Sequence, residues 1–403
     1  MSSNNEKQSE IDFAQRVRIN QQRLSSSLKS QYDFIVCGSG SSGSVVARRL
    51  AENPDVSVLL LEAGGNDDVP SVTEAHRWFE NLATERDWHF VAQPNPHLNG
   101  RCMSLPMGRV LGGGSSINVM TWARGHNHDW DFFASESGDP AWNYESVLSI
   151  YRRIEDWHGA PDPQYRGTGG PVFVQPAPDP NPRAPAMVEG ARSIGIPTFE
   201  NHNGRMMEGD GGASIIDLLA RDGKRLSVFR TYAFPYMDRP NLTVLTDALV
   251  NKVILDKNRA IGVEMEYGGK IQRIDAGLEA VLSLGAFHTP KVLMLSGIGD
   301  QAELRRMGIS LVQHLPGVGQ NFQDHFAVGC VWEYREPLAP HNSGGEATFF
   351  WKSNSRLDTP IYRLARPKFR CAVPRRRPSS THRVAPGHCL EGSYGRRAGA
   401  VFA

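Results

Sequence analysis

A glycine-rich turn between an apolar run and a helical pattern constrains this sequence most. The run YDFIV (32–36) is rich in strand formers and leads directly into GSGSSG (38–43). The segment SVVARRLAENP (44–54) has apolar residues at helical spacing, and VSVLLLE (56–62) is typical of a buried strand that ends in an acid. This order of strand, GxGxxG, helix, strand and acid predicts a Rossmann-like α/β fold that binds a dinucleotide.

The glycines and the acid have separate roles in such a unit. Gly38 allows the tight turn, Gly40 lets the backbone approach a diphosphate, and Gly43 lets the helix pack on the sheet. The N-terminus of the helix presents free N–H groups to anionic oxygens. Glu62 is predicted to accept hydrogen bonds from both hydroxyls of an adenosine ribose, and a solvated strand end is the alternative.

A second glycine-rich segment, GRVLGGGSSIN (108–118), lies 65 residues further on. NAD needs one diphosphate-binding loop, whereas FAD is held along its whole length because the flavin must be fixed against a substrate. Glycines 112–114 would let the backbone contact phosphate or flavin, and Ser115, Ser116 and Asn118 can donate hydrogen bonds to them. The segment therefore favours FAD, and a plain connecting loop is the alternative.

The sequence as a whole excludes several classes of protein. A length of 403 residues favours one large or two interlocked domains. Residues 361–403 carry nine arginines and one lysine against one acid, so that this tail is +9 and residues 1–360 are −8. The body therefore has no basic stripe for nucleic acid, and we expect no nucleic-acid partner. No run approaches the ~18 apolar residues that span a bilayer.

The first 30 residues form a polar extension without the apolar core of a signal peptide. Phe13, Val17, Leu24 and Leu28 lie near one helical face, which favours a short helix packed on the body over binding to a membrane surface. Five cysteines without CxxC spacing favour a reducing compartment. We expect a cytoplasmic protein, with peripheral membrane contact as the alternative.

Four ordered motifs resemble the glucose–methanol–choline (GMC) oxidoreductases, flavoenzymes that act mostly on alcohols. The segment 108–125 (GRVLGGGSSINVMTWARG) resembles their first signature and 285–299 (GAFHTPKVLMLSGIG) their second. EAGG (62–65) and LPGVGQNFQDH (315–325) are also similar to the family's wording. The resemblance implies a GMC-type FAD-binding domain over 31–325, with a substrate-side insert at about 160–215. It also implies an interleaved α+β substrate domain, begun at 326–360 and incomplete here.

The resemblance also implies the cofactor and its site. Some members attach FAD covalently through a histidine just before the asparagine of the first signature. Ile117 stands at that position, so FAD is expected to be non-covalent. The partners implied are an alcohol substrate and an electron acceptor. The residues implied to bind FAD are Gly38, Gly40, Ser41, Ser42, Gly43, Glu62, Ala63, Val110, Gly113, Ser115, Asn118, Val119, Met120, Thr121 and Val250.

Later segments predict further elements. Residues 242–284 alternate in the manner of strands joined by hairpins, with a tight turn at Gly268–Gly269. The last strand runs into Gly285, where the backbone can approach the cofactor, and then into a helix that begins near Pro290. A short helix is predicted over 187–197, after extended connections at 160–185.

No catalytic residue is assigned. His126 and His128, beside two aspartates, favour a solvated surface over a metal site, and no metal is expected. The family resemblance implies that His325 is a structural neighbour and not the catalytic base. The family's catalytic histidine is expected beyond the matching region and is absent from residues 1–403. The sequence contains no GxSxG motif, so it gives no support to serine hydrolase chemistry.

The family pattern stops near residue 360, and residues 361–403 lose apolar periodicity. A shifted reading frame is favoured over a basic segment for RNA or anionic lipid. The sequence therefore predicts a truncated FAD-dependent oxidoreductase that moves a hydride from the CH–OH group of a choline-like or other primary alcohol to flavin N5. An inactive FAD-binding remnant, or a lyase or photodecarboxylase of the same fold, is the alternative.

Overall fold

The computed structural model describes residues 2–324, 342–352, 354, 356 and 361–365. Within these residues the helices are α1 (Ser2–Ser26), α2 (Ser41–Ala51), α3 (Pro70–Thr73), α4 (Asn127–Ser137), α5 (Tyr144–Ile154), α6 (Arg183–Ser193), α7 (Gly285–Leu295) and α8 (Gln301–Arg306). The strands are β1 (Gln31–Cys37), β2 (Val58–Leu61), β3 (Phe90–Val91), β4 (Ser104–Leu105), β5 (Glu155–Trp157), β6 (Val172–Pro176), β7 (Gly211–Ile215), β8 (Asp217–Leu218), β9 (Ala220–Arg221), β10 (Lys224–Arg225), β11 (Leu242–Leu245), β12 (Leu249–Asp256), β13 (Arg259–Tyr267), β14 (Lys270–Leu282), β15 (Ile298–Gly299), β16 (Gln313–His314), β17 (Ala347–Trp351) and β18 (Ile361–Ala365). None of the described helices is both long and apolar enough to cross a membrane.

A six-stranded sheet forms the centre of the fold, in the order β11-β2-β1-β14-β13-β12. The first four strands are parallel, and β13 and β12 extend the sheet antiparallel. All four residues of β2 are buried, as expected for a parallel strand that is covered on both faces. The carboxyl ends of β1, β2 and β14 meet at one edge, which places the first glycine turn there. The Rossmann-like α/β prediction is confirmed.

Helix α1 covers the edge strand β11. The Gln21 side chain donates to Leu242 O at 2.9 Å and accepts from Val244 N at 2.9 Å, in the way that a neighbouring strand would. Phe13 packs edge-on against Phe234, with ring centroids 5.6 Å apart. Pairing the free backbone groups of an edge strand prevents other chains from pairing with them. The prediction that this segment packs on the body is confirmed.

The antiparallel part of the sheet follows the predicted hairpin. Gly268 and Gly269 join β13 to β14 with φ angles of 58° and 70°, a left-handed pair that glycine adopts without strain.

Helix α7 begins at Gly285, so Pro290 lies inside the helix and not at its start. A φ of 78° at Gly285 turns the chain sharply from the strand end into the helix. The prediction of a start near Pro290 was therefore wrong by five residues.

Two further helices also begin earlier than predicted. Helix α2 begins at Ser41, inside the glycine-rich segment 38–43, and α6 begins at Arg183. Proline occupies the third position of α6, within the first turn, where its missing N–H would have no intrahelical partner. In this chain, the positions of proline and glycine in the sequence therefore predict the first residue of a helix only to within several residues.

Part of the segment predicted to be an aberrant tail belongs to a sheet. Strand β18 pairs antiparallel with β17, from Ala347 opposite Ala365 to Trp351 opposite Ile361. β17 pairs in turn with β7, within the predicted substrate-side insert. The predicted tail over 361–403 is therefore corrected at its start, where residues 361–365 form a strand. A run of five residues can pair with a neighbouring strand without apolar periodicity. Residues 366–403 lie outside the described residues.

Candidate cofactor-binding site

The first glycine turn has the geometry that its sequence predicts. Gly38 has a φ of 95°, a conformation that L side chains rarely adopt. A Cβ atom on Gly43 would collide with the carbonyl oxygen of Gly38, so only glycine lets α2 pack this closely. Gly40 caps α2, and a Cβ atom there would have no neighbour within 4 Å. The structure therefore leaves open space beside Gly40, and the exposed Ser41 and Ser42 form the first turn of the helix.

Glu62 is buried, so it is not a solvated strand end. One carboxylate oxygen accepts from the Ser39 hydroxyl at 2.6 Å and from Ser39 N at 3.1 Å, and the other accepts from Gly64 N at 2.9 Å. Burial raises the pKa of the Glu62 carboxyl, against hydrogen bonds from Ser39 and Gly64 that lower it. A carboxylate accepts about four hydrogen bonds, so this arrangement leaves room for about one ribose hydroxyl.

Ser39 joins the first glycine loop to the second. Its hydroxyl donates to Glu62 and accepts from Gly112 N at 3.1 Å. Next to this contact, Leu111 N donates to Gly65 O at 3.0 Å. Hydrogen bonds therefore join the two glycine loops and Glu62 to one another. Sequence reasoning did not select Ser39, because the middle residue of a GxG turn carries no chemical requirement of its own.

The second loop turns through Gly113–Ser116, and its serines hold the turn itself. The Ser115 hydroxyl donates to Gly112 O at 2.7 Å, and the Ser116 hydroxyl donates to Leu111 O at 2.6 Å. The expectation that these two hydroxyls donate to a cofactor is not met in this conformation, because each gives its one proton to a backbone carbonyl.

Asn118 ends the loop. Its side-chain oxygen accepts from Met120 N at 3.0 Å and from Arg225 at 2.9 Å. Arg225 lies on β10, more than 100 residues away in sequence, and also donates to the backbone oxygens of Ser115 and Asn118. No local pattern in the sequence marked this arginine.

Thr121, after the second loop, carries a buried hydroxyl without a hydrogen-bond partner. Such groups are rare in folded proteins because an unmade hydrogen bond costs about 1–3 kcal/mol when the group is buried. The unpartnered Thr121 hydroxyl and the open space at Gly40 are both features that a bound cofactor would satisfy. The residues present therefore fit FAD.

Four further predicted cofactor residues are buried. Val250 is buried on β12, and the chain just before it is anchored because Ala248 N donates to Glu62 O at 2.9 Å. Val110 is fully buried and Val119 and Met120 are nearly so, and Met120 has a φ of 59°. Hydrogen bonds thus bring together the two loops, Glu62 and the chain just before Val250.

A buried ionic network supports the segment after the second loop. Arg124 pairs with Glu155 at 2.6 Å, and Arg166 pairs with Glu155 at 3.1 Å and with Asp217 at 2.8 Å. Trp122 N donates to Asp217 O at 2.8 Å, which ties the chain beside Thr121 to this network. Sequence reasoning missed the network because its members are up to 93 residues apart.

One histidine of the pair that was weighed as a metal site, His126, has a structural role, whereas His128 is exposed. His126 is buried, not solvated as expected, and it caps helix α4 by accepting from His128 N at 3.2 Å. Its other ring nitrogen lies 2.9 Å from Gly209 O. Over the described part of the chain, no group of three or more His, Cys, Asp or Glu side chains could hold a metal ion. His325 lies outside the described residues.

The joined glycine loops and the buried acid define a dinucleotide-binding α/β protein that can hold a cofactor along two loops. Comparison with known proteins specifies the class further. The sequence profile described as GMC oxidoreductase matches residues 32–327. The chain belongs to the GMC oxidoreductase family, whose cofactor is FAD.

Individual relatives support this assignment. An oxygen-dependent choline dehydrogenase of Rhizobium meliloti (strain 1021) is 40% identical over 296 residues, which cover 73% of this chain and 53% of that protein. Pyridoxine 4-oxidase from Mesorbium loti is 31% identical with a TM-score of 0.75, over 80% of this chain and 63% of that one. An FAD-dependent oxidoreductase from Chaetomium thermophilum is 29% identical with a TM-score of 0.66, over 71% and 51%. The chain spans about half the length of the curated relatives it matches.

Proposed function

We propose that this chain binds FAD non-covalently and provides the flavin side of an oxidoreductase that acts on the CH–OH group of an alcohol. The observation that carries the proposal is the junction of the two glycine loops through Ser39, beside open space at Gly40. The similar choline dehydrogenase and pyridoxine 4-oxidase support an alcohol as the substrate class.

The chain's own residues divide the work of binding. The N-terminus of α2 faces the open space at Gly40 and suits the diphosphate. Glu62 would accept from the adenosine ribose, and the unpartnered Thr121 hydroxyl would hydrogen-bond the flavin end. Bound FAD would supply hydride acceptance at flavin N5. We assign no base that would take the alcohol proton.

Two measurements on the purified full chain test the proposal. Flavin absorption that stays with the protein through gel filtration is expected if the loops bind FAD. Anaerobic titration with choline, pyridoxine and benzyl alcohol would bleach that absorption if these residues suffice for hydride transfer. Bound flavin without bleaching by any alcohol would reduce the function to FAD binding. Absence of bound flavin after reconstitution with excess FAD would contradict the proposal.

A further inference from the structure

Arg225 holds the second glycine loop through neutral acceptors only. Its Nε donates to Val72 O at 2.9 Å, and one Nη donates to Ser115 O at 3.0 Å. The two Nη groups also donate to Asn118, to the side-chain oxygen at 2.9 Å and to the backbone oxygen at 2.7 Å. The side chain is almost fully buried, with 5% of its surface exposed. These contacts use four of its five N–H donors but do not balance its charge.

The other buried or half-buried arginines near the site are paired with carboxylates. Arg124 pairs with Glu155, Arg166 with Asp217, and Arg230 with Asp67 at 2.6 Å. For Arg225, no ion pair with a carboxylate is found among the residues that the structure describes. Burial alone lowers the pKa of its guanidinium, to about 9, so the group remains a cation at neutral pH.

A buried charge without a counter-ion is costly, and proteins compensate such charges with a partner. The missing partner of Arg225 is expected near the loop that it holds. That loop begins at Gly112, bonded to Ser39, and lies against Gly40 at the proposed diphosphate site. Bound FAD would bring the negative charge of its diphosphate to this place, and its flavin ring would supply further negative charge on accepting electrons.

We propose that Arg225 is a positioning residue whose uncompensated positive charge stabilises negative charge on bound FAD. The hydrogen bonds orient the Ser115–Asn118 turn, and the charge favours the cofactor in its electron-accepting role. The inference rests on the proposed FAD binding and adds to it a residue that determines how readily the flavin is reduced.

Sulfite binding to the oxidised flavin tests the charge separately from turnover. The lone pair of sulfite forms a bond to flavin N5, the ring takes up the negative charge, and the visible absorption is lost. The FAD-loaded full chain is compared with Arg225→Lys, which keeps the charge but not the planar fork, and with the neutral variants Arg225→Met and Arg225→Gln. Arg192→Met is the matched control, because Arg192 is exposed and pairs with Glu189 at 2.6 Å.

The neutral variants are expected to bind sulfite about tenfold more weakly, while Arg225→Lys and Arg192→Met stay within about threefold of the wild type.

If neither neutral variant retains FAD but Arg225→Lys does, FAD binding itself requires the positive charge, and the proposal is supported. Equal sulfite affinity in all FAD-loaded variants would overturn it and leave FAD binding intact. Loss of FAD from Arg225→Lys as well would also overturn it, because geometry and not charge would then be decisive. A wild-type chain that binds no FAD would contradict the proposed function itself, and this assignment with it.

Discussion

Gly40 and Gly113 lie against each other, since a Cβ atom on Gly113 would stand 3.0 Å from the Cα atom of Gly40. The two glycines belong to separate loops, 73 residues apart in sequence. Their contact explains why the chain has two glycine-rich segments: both loops line one space, and a side chain on Gly113 would press on the backbone of Gly40. Gly113 also has a φ of 52°, which penalises any other residue there.

Gly40→Val is expected to abolish FAD binding and leave the fold intact. The new side chain would enter open space and not a packed core, so it would occupy the volume that a diphosphate needs. A displaced diphosphate would lose its charge-assisted hydrogen bonds from the N–H groups at the start of α2. Loss of two such bonds, each worth about 1.5–3 kcal/mol, predicts at least about 100-fold weaker binding. Quenching of FAD fluorescence measures the affinity, and thermal unfolding measures the fold.

Gly43→Ala is the matched control for this experiment. Its Cβ atom would collide with the Gly38 carbonyl, so we expect a loss of stability of about 1–3 kcal/mol. Retained FAD affinity in Gly40→Val would show that this turn is not the diphosphate site.

Ser39→Ala is expected to destabilise the protein by about 1–3 kcal/mol, because it leaves the Gly112 N–H unpaired and removes one donor to Glu62. Urea unfolding of the protein without cofactor measures the change. Ser137→Ala is the control, since that hydroxyl is exposed and bonds only to the end of α4 and to Asp139 N just beyond it. Equal stability of the two variants would show that the two loops do not depend on Ser39.

His202→Phe is expected to remove part of the stability loss in acid. His202 is fully buried with both ring nitrogens unpartnered, and burial lowers its pKa from 6.5 to about 4. Below pH 6.5 the unfolded chain therefore binds a proton that the folded chain does not, and stability falls as the pH falls towards 4. The stability of the variant relative to the wild type should rise by about 2 kcal/mol between pH 7.5 and pH 5. Urea unfolding at both pH values measures this, and parallel profiles would contradict it.

FAD is expected to separate from the protein under acid precipitation, because the aliphatic side chain of Ile117 cannot form a covalent bond to the flavin. Ile117 is also buried, at 5% exposure. The absorption of the supernatant and of the redissolved pellet gives the distribution. Yellow colour that remains in the pellet would point to a covalent attachment elsewhere.

A chain that ends at residue 360 is expected to be less stable than one that ends at residue 365. The shorter chain loses strand β18 and uncovers one edge of β17, where Phe350 is buried against Met206 and Met207. Thermal unfolding of the two chains measures the effect, and a drop of several degrees is expected. Coincident unfolding curves would show that 361–365 adds nothing to the folded structure.

Much of the fold was predictable from local patterns. The order of strand, glycine turn, helix and acid defined the Rossmann-like unit, and Gly268–Gly269 marked its hairpin, because turn geometry and strand burial depend on residues close together in the chain. The positions of Gly38 and Gly43 followed from the same local rule. The FAD-binding family was indicated by ordered motifs, which need no tertiary information.

Only the tertiary structure showed how the site is held together. Ser39 contacts Gly112 across 73 residues, and Arg225 contacts Asn118 across 107. Neither contact leaves a periodic or composition signal, since a hydrogen bond between distant segments depends on how the whole sheet and its loops pack. The same reason explains the serines of the second loop, whose hydroxyls could serve a ligand or the backbone. The sequence determined which groups were available for binding, and the packing decided which of them remained free.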